Sequence, residues 1–291
     1  MVFVTQSFQE IKSLIDELGL FFTIKLIIRY LSLRILNTIL KLFRINVYSK
    51  IKFPMTNYEV VVKFKDFYWK KLQKGLWEID CIKILLNNVK ENQIIMDVGA
   101  WIGPYTLLLS NLVGKSGKVF TFEPDPIAFQ ELYENIKIND MRNVIAETMG
   151  LSNYSGKASL LLNRGGGTSG SSLIRTNPDI KFKEEIIKLT TIDQYCTDNN
   201  FLPDGIIIDV EGAEGLVIEG SRKILSKHSL WVLMEFHGGF MSEEERINNW
   251  YKIVENAKKV TFIDGNSKHH SYGQTLTELP NCINFHLFIQ Y

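Results

Sequence analysis

Several groups able to carry a charge or move a proton stand directly behind apolar runs of strand length. Asp97 follows Ile94-Ile95-Met96, Glu123 follows Phe120-Thr121-Phe122, and Asp209 and Glu211 follow Ile206-Ile207-Ile208. Glu235 and His237 follow the run Leu230 to Met234. One acid behind one strand is usually a turn former. Repeated around a single rim, such acids create a negative potential suited to a cationic ligand. Asp97 also opens the turn Val98-Gly99-Ala100-Trp101-Ile102-Gly103-Pro104, in which Gly99 and Gly103 permit a tight path and close approach of a ligand. This turn matches neither G-x-G-x-x-G nor a Gly-Lys-Ser/Thr phosphate cradle. From Asp97 to Thr106 it has no Lys or Arg to meet a pyrophosphate. A nucleoside-like ligand that is itself positive suits it better, and S-adenosylmethionine, with sulfonium and ammonium charges, is one. Glu123 is then placed to accept two hydrogen bonds from a ribose diol. The competing readings are a plain Rossmann-like turn with a solvated acid, or a nicotinamide-dependent dehydrogenase with a degraded fingerprint.

The elements needed to position these groups follow from periodicity. Strand, glycine turn and an amphipathic helix from Tyr105 to Val113 form the first unit of a doubly wound α/β sheet, whose ligands bind at the carboxyl ends of the strands. Pro104 suits the first helical turn. Lys118–Phe122 reads as a second strand, Pro126–Ile138 as a helix and Asn143–Thr148 as a third strand that ends near Ser152. The β-branched run Ile206–Ile208 is a buried parallel strand, followed by a helix from Leu216 to Leu225. Ser242 to Ala257 is a polar helix. Val260–Ile263 and Phe285–Tyr291, joined by a loop with His269 and His270, are a closing pair whose last strand must run antiparallel. Lys157–Leu162 and Ile186–Leu189 read as strands flanking the glycine-serine loop Arg164–Ser172, either a binding loop or surface disorder. Upstream, Val60–Phe64 is a short strand, and Asp66–Leu72 and Ile79–Val89 are helices. Glu78, before the second helix, either reaches the cofactor's ammonium end or simply complements the helix dipole.

On these segments the chain resembles the FkbM-type family of S-adenosylmethionine-dependent methyltransferases. The resemblance runs from about Gly75 to the C-terminus. It is carried by Trp77-Glu78, Asp97-Val98-Gly99-Ala100 with Gly103 and Thr106, Phe122-Glu123-Pro124, Ser172-Leu173, Thr190-Thr191-Ile192-Asp193 and, most specifically, Ile208-Asp209-Val210-Glu211-Gly212-Ala213-Glu214. Trp101 stands where the family often has Asn, and Ile207 where Lys often precedes the Ile-Asp pair. The resemblance implies a class I methyltransferase fold, a seven-stranded mixed sheet with the last strand antiparallel, and O-methylation of a sugar, polyketide or other small hydroxyl compound.

Methyl transfer asks the protein to align donor and acceptor and to remove a proton. By type and placement, Gly99, Gly103 and Thr106 would hold the methionine part and Glu123 the ribose, with Ala100 and Pro124 in the same cofactor site, and Ser152 would lie near the adenine. Asp97 and Glu78 are the acids on the cofactor's cationic side. Asp209 and Glu211 lie nearest the methyl group. His237 is the candidate general base, since an ordinary imidazole pKa near ~6.5 suits proton abstraction at neutral pH; a neutral capping histidine is the alternative. Asp209, Glu211 and His237 also form a ligand type able to hold a divalent cation, although no tight spacing demands a metal. A non-catalytic module that binds the cofactor without turnover is the remaining rival.

The chain has 291 residues and a net charge of +1, which argues against general nucleic-acid binding. Its cysteines, Cys81, Cys196 and Cys282, are odd in number and lack metal-ligand spacing, as suits a reducing, cytoplasmic compartment. Residues 1–54 are expected to form a basic, apolar helical extension and residues 55–291 the catalytic domain. Between Leu18 and Tyr58, Lys25, Arg29, Arg34, Lys41, Arg44, Lys50 and Lys52 interrupt apolar sequence without a single acid. No uncharged run reaches the roughly 18 residues of a spanning helix, and no signal-peptide cleavage pattern follows. Residues 18–52 can therefore lie on a membrane surface, pack on the main domain, or join a homodimer.

Overall fold

A computed structural model of the chain describes residues 47–63, 68–173, 182–227, 229–263 and 284–291. The helical and membrane-surface expectations for residues 18–46, and the segment with His269, His270 and Cys282, lie outside the described residues. Among the described residues no helix is long and apolar enough to cross a membrane.

A central seven-stranded sheet carries the molecule. Its strands are β3 (Ile94–Val98), β4 (Lys118–Phe122), β5 (Val144–Glu147), β9 (Gly205–Ile208), β10 (Trp231–His237), β11 (Lys259–Ile263) and β12 (Asn284–Gln290). The order across the sheet is β11-β12-β10-β9-β3-β4-β5. β3, β4, β5, β9 and β10 are mutually parallel, whereas β12 runs antiparallel to both β10 and β11. The closing pair thus adopts the expected antiparallel pairing. Progress along the chain runs outward from β3 to β5 and then restarts at β9, so the order reverses between β3 and β9. That switch point is where a doubly wound sheet opens a crevice.

The pleat sends alternate side chains to opposite faces. Ile95, Val119, Ile207 and Leu233 pack on one side with helices α2 (Ile79–Asn88), α3 (Pro104–Val113) and α4 (Pro126–Ile138). Met96, Phe120, Ile206, Ile208, Val232 and Met234 pack on the other with α5 (Ile192–Asp198), α6 (Glu214–Glu219), α7 (Arg222–Lys227) and α8 (Glu243–Val254). α3 departs from the amphipathic expectation. Leu107, Leu108 and Leu109 are all buried, because the helix is enclosed by its neighbours rather than half exposed. Each such side chain stabilises the fold by ~1.5–3 kcal/mol. The single helix expected from Leu216 to Leu225 is two. Ser221 bonds back to the Ile218 carbonyl, and Asp193 accepts the amides of Lys223 and Ile224, which starts α7 anew.

Two smaller sheets flank this body. β1 (Tyr48–Lys52) pairs with β2 (Glu59–Lys63). Ile51 and Phe53 belong to the hydrophobic core, and residues 49–291 form one compact unit, so the domain begins before Pro54. Helix α1 (Tyr68–Gln73) follows and buries Trp69 and Leu72. β6 (Gly150–Leu151), β7 (Gly156–Leu162) and β8 (Lys183–Thr190) form the other sheet, with a small core of Leu160, Leu162, Ile187 and Leu189.

Candidate functional site

A crevice opens at the switch point, outside the carboxyl ends of the strands. Its floor is Val98 and Gly99 from the end of β3 and Phe122, Glu123 and Pro124 from the end of β4. Met149, Gly150, Leu151, Leu160 and Leu173 form an apolar wall, while Asp209, Val210 and Glu211 close the side toward β9. The charged residues lining it are Glu123, Asp209 and Glu211, with no Lys or Arg among the described residues. A pyrophosphate would be repelled here and a cation attracted.

Glu123 is held rigidly. Its Oε2 accepts the Trp101 amide at 2.7 Å and its Oε1 the Asp125 amide at 2.7 Å. Each oxygen keeps a lone pair for a ligand hydroxyl. Burial pushes the Glu123 pKa up to about 8, against the opposing pull of the Asp125 and Trp101 amides. The acid therefore carries its proton near neutral pH, and a cationic ligand with a ribose diol favours the ionised form. Binding of S-adenosylmethionine at about pH 7 is expected to release up to one proton, with affinity rising as pH climbs toward 8. Calorimetry in buffers of different ionisation enthalpy measures this. Glu123→Gln should abolish the release, and a wild-type protein that releases none would remove Glu123 from the ribose subsite.

The glycine-serine loop is a roof. Asp125 caps α4 through Oδ1, which accepts the amides of Ile127 and Ala128. Its Oδ2 accepts the Gly167 amide at 2.7 Å and the Ser171 hydroxyl at 2.9 Å. Ser172 donates to the Glu211 carbonyl at 2.6 Å, and Thr168 to Ser171 line the crevice. Of the two readings of this loop, surface disorder does not hold.

A second set of groups adjoins Asp209. Nδ1 of His237 donates to the buried Glu214 Oε1 at 2.9 Å. Its Nε2 faces Asp209 Oδ1 at 3.8 Å, Glu211 Oε2 at 3.5 Å and Glu235 Oε1 at 3.5 Å. Burial works against the imidazolium, yet Glu214, Asp209 and Glu235 outweigh it and push the His237 pKa up to about 10. The ordinary imidazole pKa that made His237 a base does not survive this setting, because the ring keeps its proton at neutral pH. The remaining proton acceptors of the cluster are carboxylates. Asp209 is held well above its usual range by burial and by Glu235, and its Oδ1 is buried without a hydrogen-bond partner. Burial likewise raises Glu211. Glu211 sits at φ +52°, backbone strain of the kind that gathers at functional sites.

Other expected residues fall elsewhere. Asp97 is buried, and its carboxylate accepts the Thr106 hydroxyl, which also contacts Thr121 at 2.9 Å. Burial lifts its pKa to about 6. Thr106 thus braces Asp97, and neither lines the crevice. The amides of Gly99 and Ala100 both go to the Phe122 carbonyl. Gly103 precedes α3 as its N-cap. The Ser152 side chain turns to Asn153, while its neighbours Met149 to Leu151 face the crevice. Glu78 accepts the Tyr105 hydroxyl and lies 3.4 Å from His286 Nε2. His286, also 3.4 Å from Glu235 Oε2, was not expected at this rim. It lies directly across from Glu235 in the β10–β12 pairing, a long-range register that strand patterns do not reveal.

A parallel sheet with an inserted antiparallel strand, opening on an acid-lined crevice beside a carboxylate–imidazole cluster, defines a class I methyltransferase. A family model for the methyltransferase FkbM domain matches residues 97–275, and the chain belongs to that family; its cofactor is S-adenosylmethionine. The hexuronic acid methyltransferase AglP of Haloferax volcanii is 31% identical over 166 residues, a match covering 56% of this chain and 63% of that protein. Among solved structures, the FkbM methyltransferase of Methylobacillus flagellatus is 16% identical with a TM-score of 0.43, over 78% of this chain and 55% of that one. An S-adenosylmethionine-dependent O-methyltransferase of Thermotoga maritima gives 12% identity and a TM-score of 0.44, over 83% and 77%. The residues present fit this cofactor: a buried carboxylate with lone pairs that would suit the ribose, an apolar wall that would suit the base, and a buried, unpartnered Asp209 oxygen that a cationic group would suit.

Proposed function

We propose that the protein O-methylates a sugar-type acceptor, with a hexuronic acid as the first candidate. The observation that carries this reading is the adjacency of the donor crevice to the Asp209–Glu211–Glu235–His237 cluster, where proton acceptors meet a potential hydroxyl site. The similarity to a hexuronic acid methyltransferase supports the sugar class. When bound, the cofactor supplies a methyl carbon already activated by its sulfonium. Glu123 anchors the ribose, the roof from Thr168 to Ser171 limits water, and Asp209 and Glu211 orient the acceptor hydroxyl. Asp209 would take the hydroxyl proton as the acceptor oxygen gains the methyl group, the donor being left as S-adenosylhomocysteine. Proton transfer of this kind contributes about 10²–10⁴-fold to rate.

The test is incubation with S-adenosylmethionine and a panel of free and lipid-linked sugars that includes hexuronic acids, with S-adenosylhomocysteine and methylated sugar read by mass spectrometry. Product with uronic acids is the expected result. Donor binding without product from any sugar would overturn the sugar reading and favour a non-catalytic module.

A further inference from the structure

The surroundings of His237 are overloaded with negative charge. Asp209, Glu211, Glu214 and Glu235 all lie within 4 Å of one imidazole. Only Glu214 is close enough for a good hydrogen bond; it fixes Nδ1 and is itself steadied by the Gly212 amide at 2.9 Å. The other three oxygens face Nε2 at 3.5 to 3.8 Å, too long for hydrogen bonds. Two ligand atoms that each lie ~2.1 Å from a shared ion stand about 3.0–3.8 Å apart at ordinary coordination angles. One of these oxygens, Asp209 Oδ1, is fully buried and lacks any hydrogen-bond partner, which is costly unless something else satisfies it. Glu235 is steadied from behind, its second oxygen lying 3.4 Å from His286. A carboxylate holding one ring nitrogen so that the other can bind a metal is the usual outer-shell arrangement of histidine ligands.

From this geometry we infer that His237 Nε2, Asp209 Oδ1, Glu211 and Glu235 form a divalent-cation site, the ion displacing the Nε2 proton and leaving the second Asp209 oxygen for the acceptor, with Glu214 as the positioning residue behind the histidine. Three carboxylates and one imidazole suit a Mn²⁺- or Mg²⁺-like ion, with Zn²⁺ and Fe²⁺ as competitors. The ligands come from the turn after β9 and from the end of β10, so the ion sits beside the donor crevice and lines the path of the acceptor. The inference rests on the proposed methyl transfer and adds to it. A uronic acid entering this rim would be repelled by its carboxylates, whereas a cation lets the acceptor's own oxygens bind there and makes its hydroxyl easier to ionise.

The full chain, stripped with EDTA and dialysed, is titrated with MnCl2 and followed by electron paramagnetic resonance and by thermal melting. One Mn²⁺ per chain is expected, with a raised melting temperature. Glu211→Gln and His237→Gln should each weaken Mn²⁺ at least tenfold, and Glu214→Gln by about 10–100-fold. Circular dichroism establishes that the variants fold, and Glu211→Gln, at the half-buried rim, is the variant least exposed to a folding defect. Failure of wild type to bind Mn²⁺, Mg²⁺ or Zn²⁺ overturns the site, and so does binding that both variants leave unchanged. If the EDTA-treated protein still binds S-adenosylmethionine and transfers methyl, the cation falls while the methyltransferase reading stands.

Discussion

Asp209→Asn is expected to lower kcat by about 10² to 10⁴-fold while changing S-adenosylmethionine affinity by less than about tenfold. The two side chains have nearly the same shape, so the crevice wall is kept. What changes is chemistry: an amide does not take up a proton at neutral pH, and its nitrogen donates where an acceptor is needed. Asp209 is placed to act as the base because it lines the donor crevice. Burial and the nearby Glu235 raise its proton affinity, the His237 imidazolium opposes them, and a cation beside it favours the ionised form that can accept a proton. Single-turnover kinetics beside donor calorimetry separates the two effects. A kcat within about threefold of wild type would move the proton transfer away from Asp209.

Gly99→Ala is expected to destabilise the protein by about 4 kcal/mol or more, beyond the usual range for one substitution. A Cβ at Gly99 would lie 1.7 Å from the Asp209 carbonyl oxygen, which is backbone and unable to swing aside. The φ of +85° adds strain of its own. Gly165 is the control, since it shares a φ of +85° but has nothing within 4 Å of its would-be Cβ. Gly165→Ala should therefore cost only the ~1–2 kcal/mol of the left-handed backbone. Urea unfolding of both variants measures the difference. Equal losses would mean that backbone conformation, not the approach of β9 to β3, requires Gly99. Gly99 is thus needed for that close approach as well as lining the crevice.

Much of the sheet was legible because each parallel strand is an apolar run with an acid at its end, and each parallel step needs a crossover. Glu123 and the Asp209–Glu211 turn were legible for the same reason, being fixed by their place at strand ends. Contacts made across the fold were not. Thr106 stands where a cofactor contact was expected, yet it is spent on Asp97, since its helix turns that face toward β3 and β4. His237 has the ordinary residue type of a base, and only the convergence of Glu214, Asp209 and Glu235 changes its charge state. His286 joins the rim through the pairing of β12 with β10, which a sequence pattern does not number. The break between α6 and α7 depends on Asp193, contributed from an earlier helix.

Asp125 ties two parts of the molecule with one side chain, one oxygen for the start of α4 and the other for the loop over the crevice. Only Pro124 separates it from Glu123, so the floor of the crevice and its roof share one short segment of chain. A substitution that frees Asp125 would loosen the start of α4 and the loop over the crevice together.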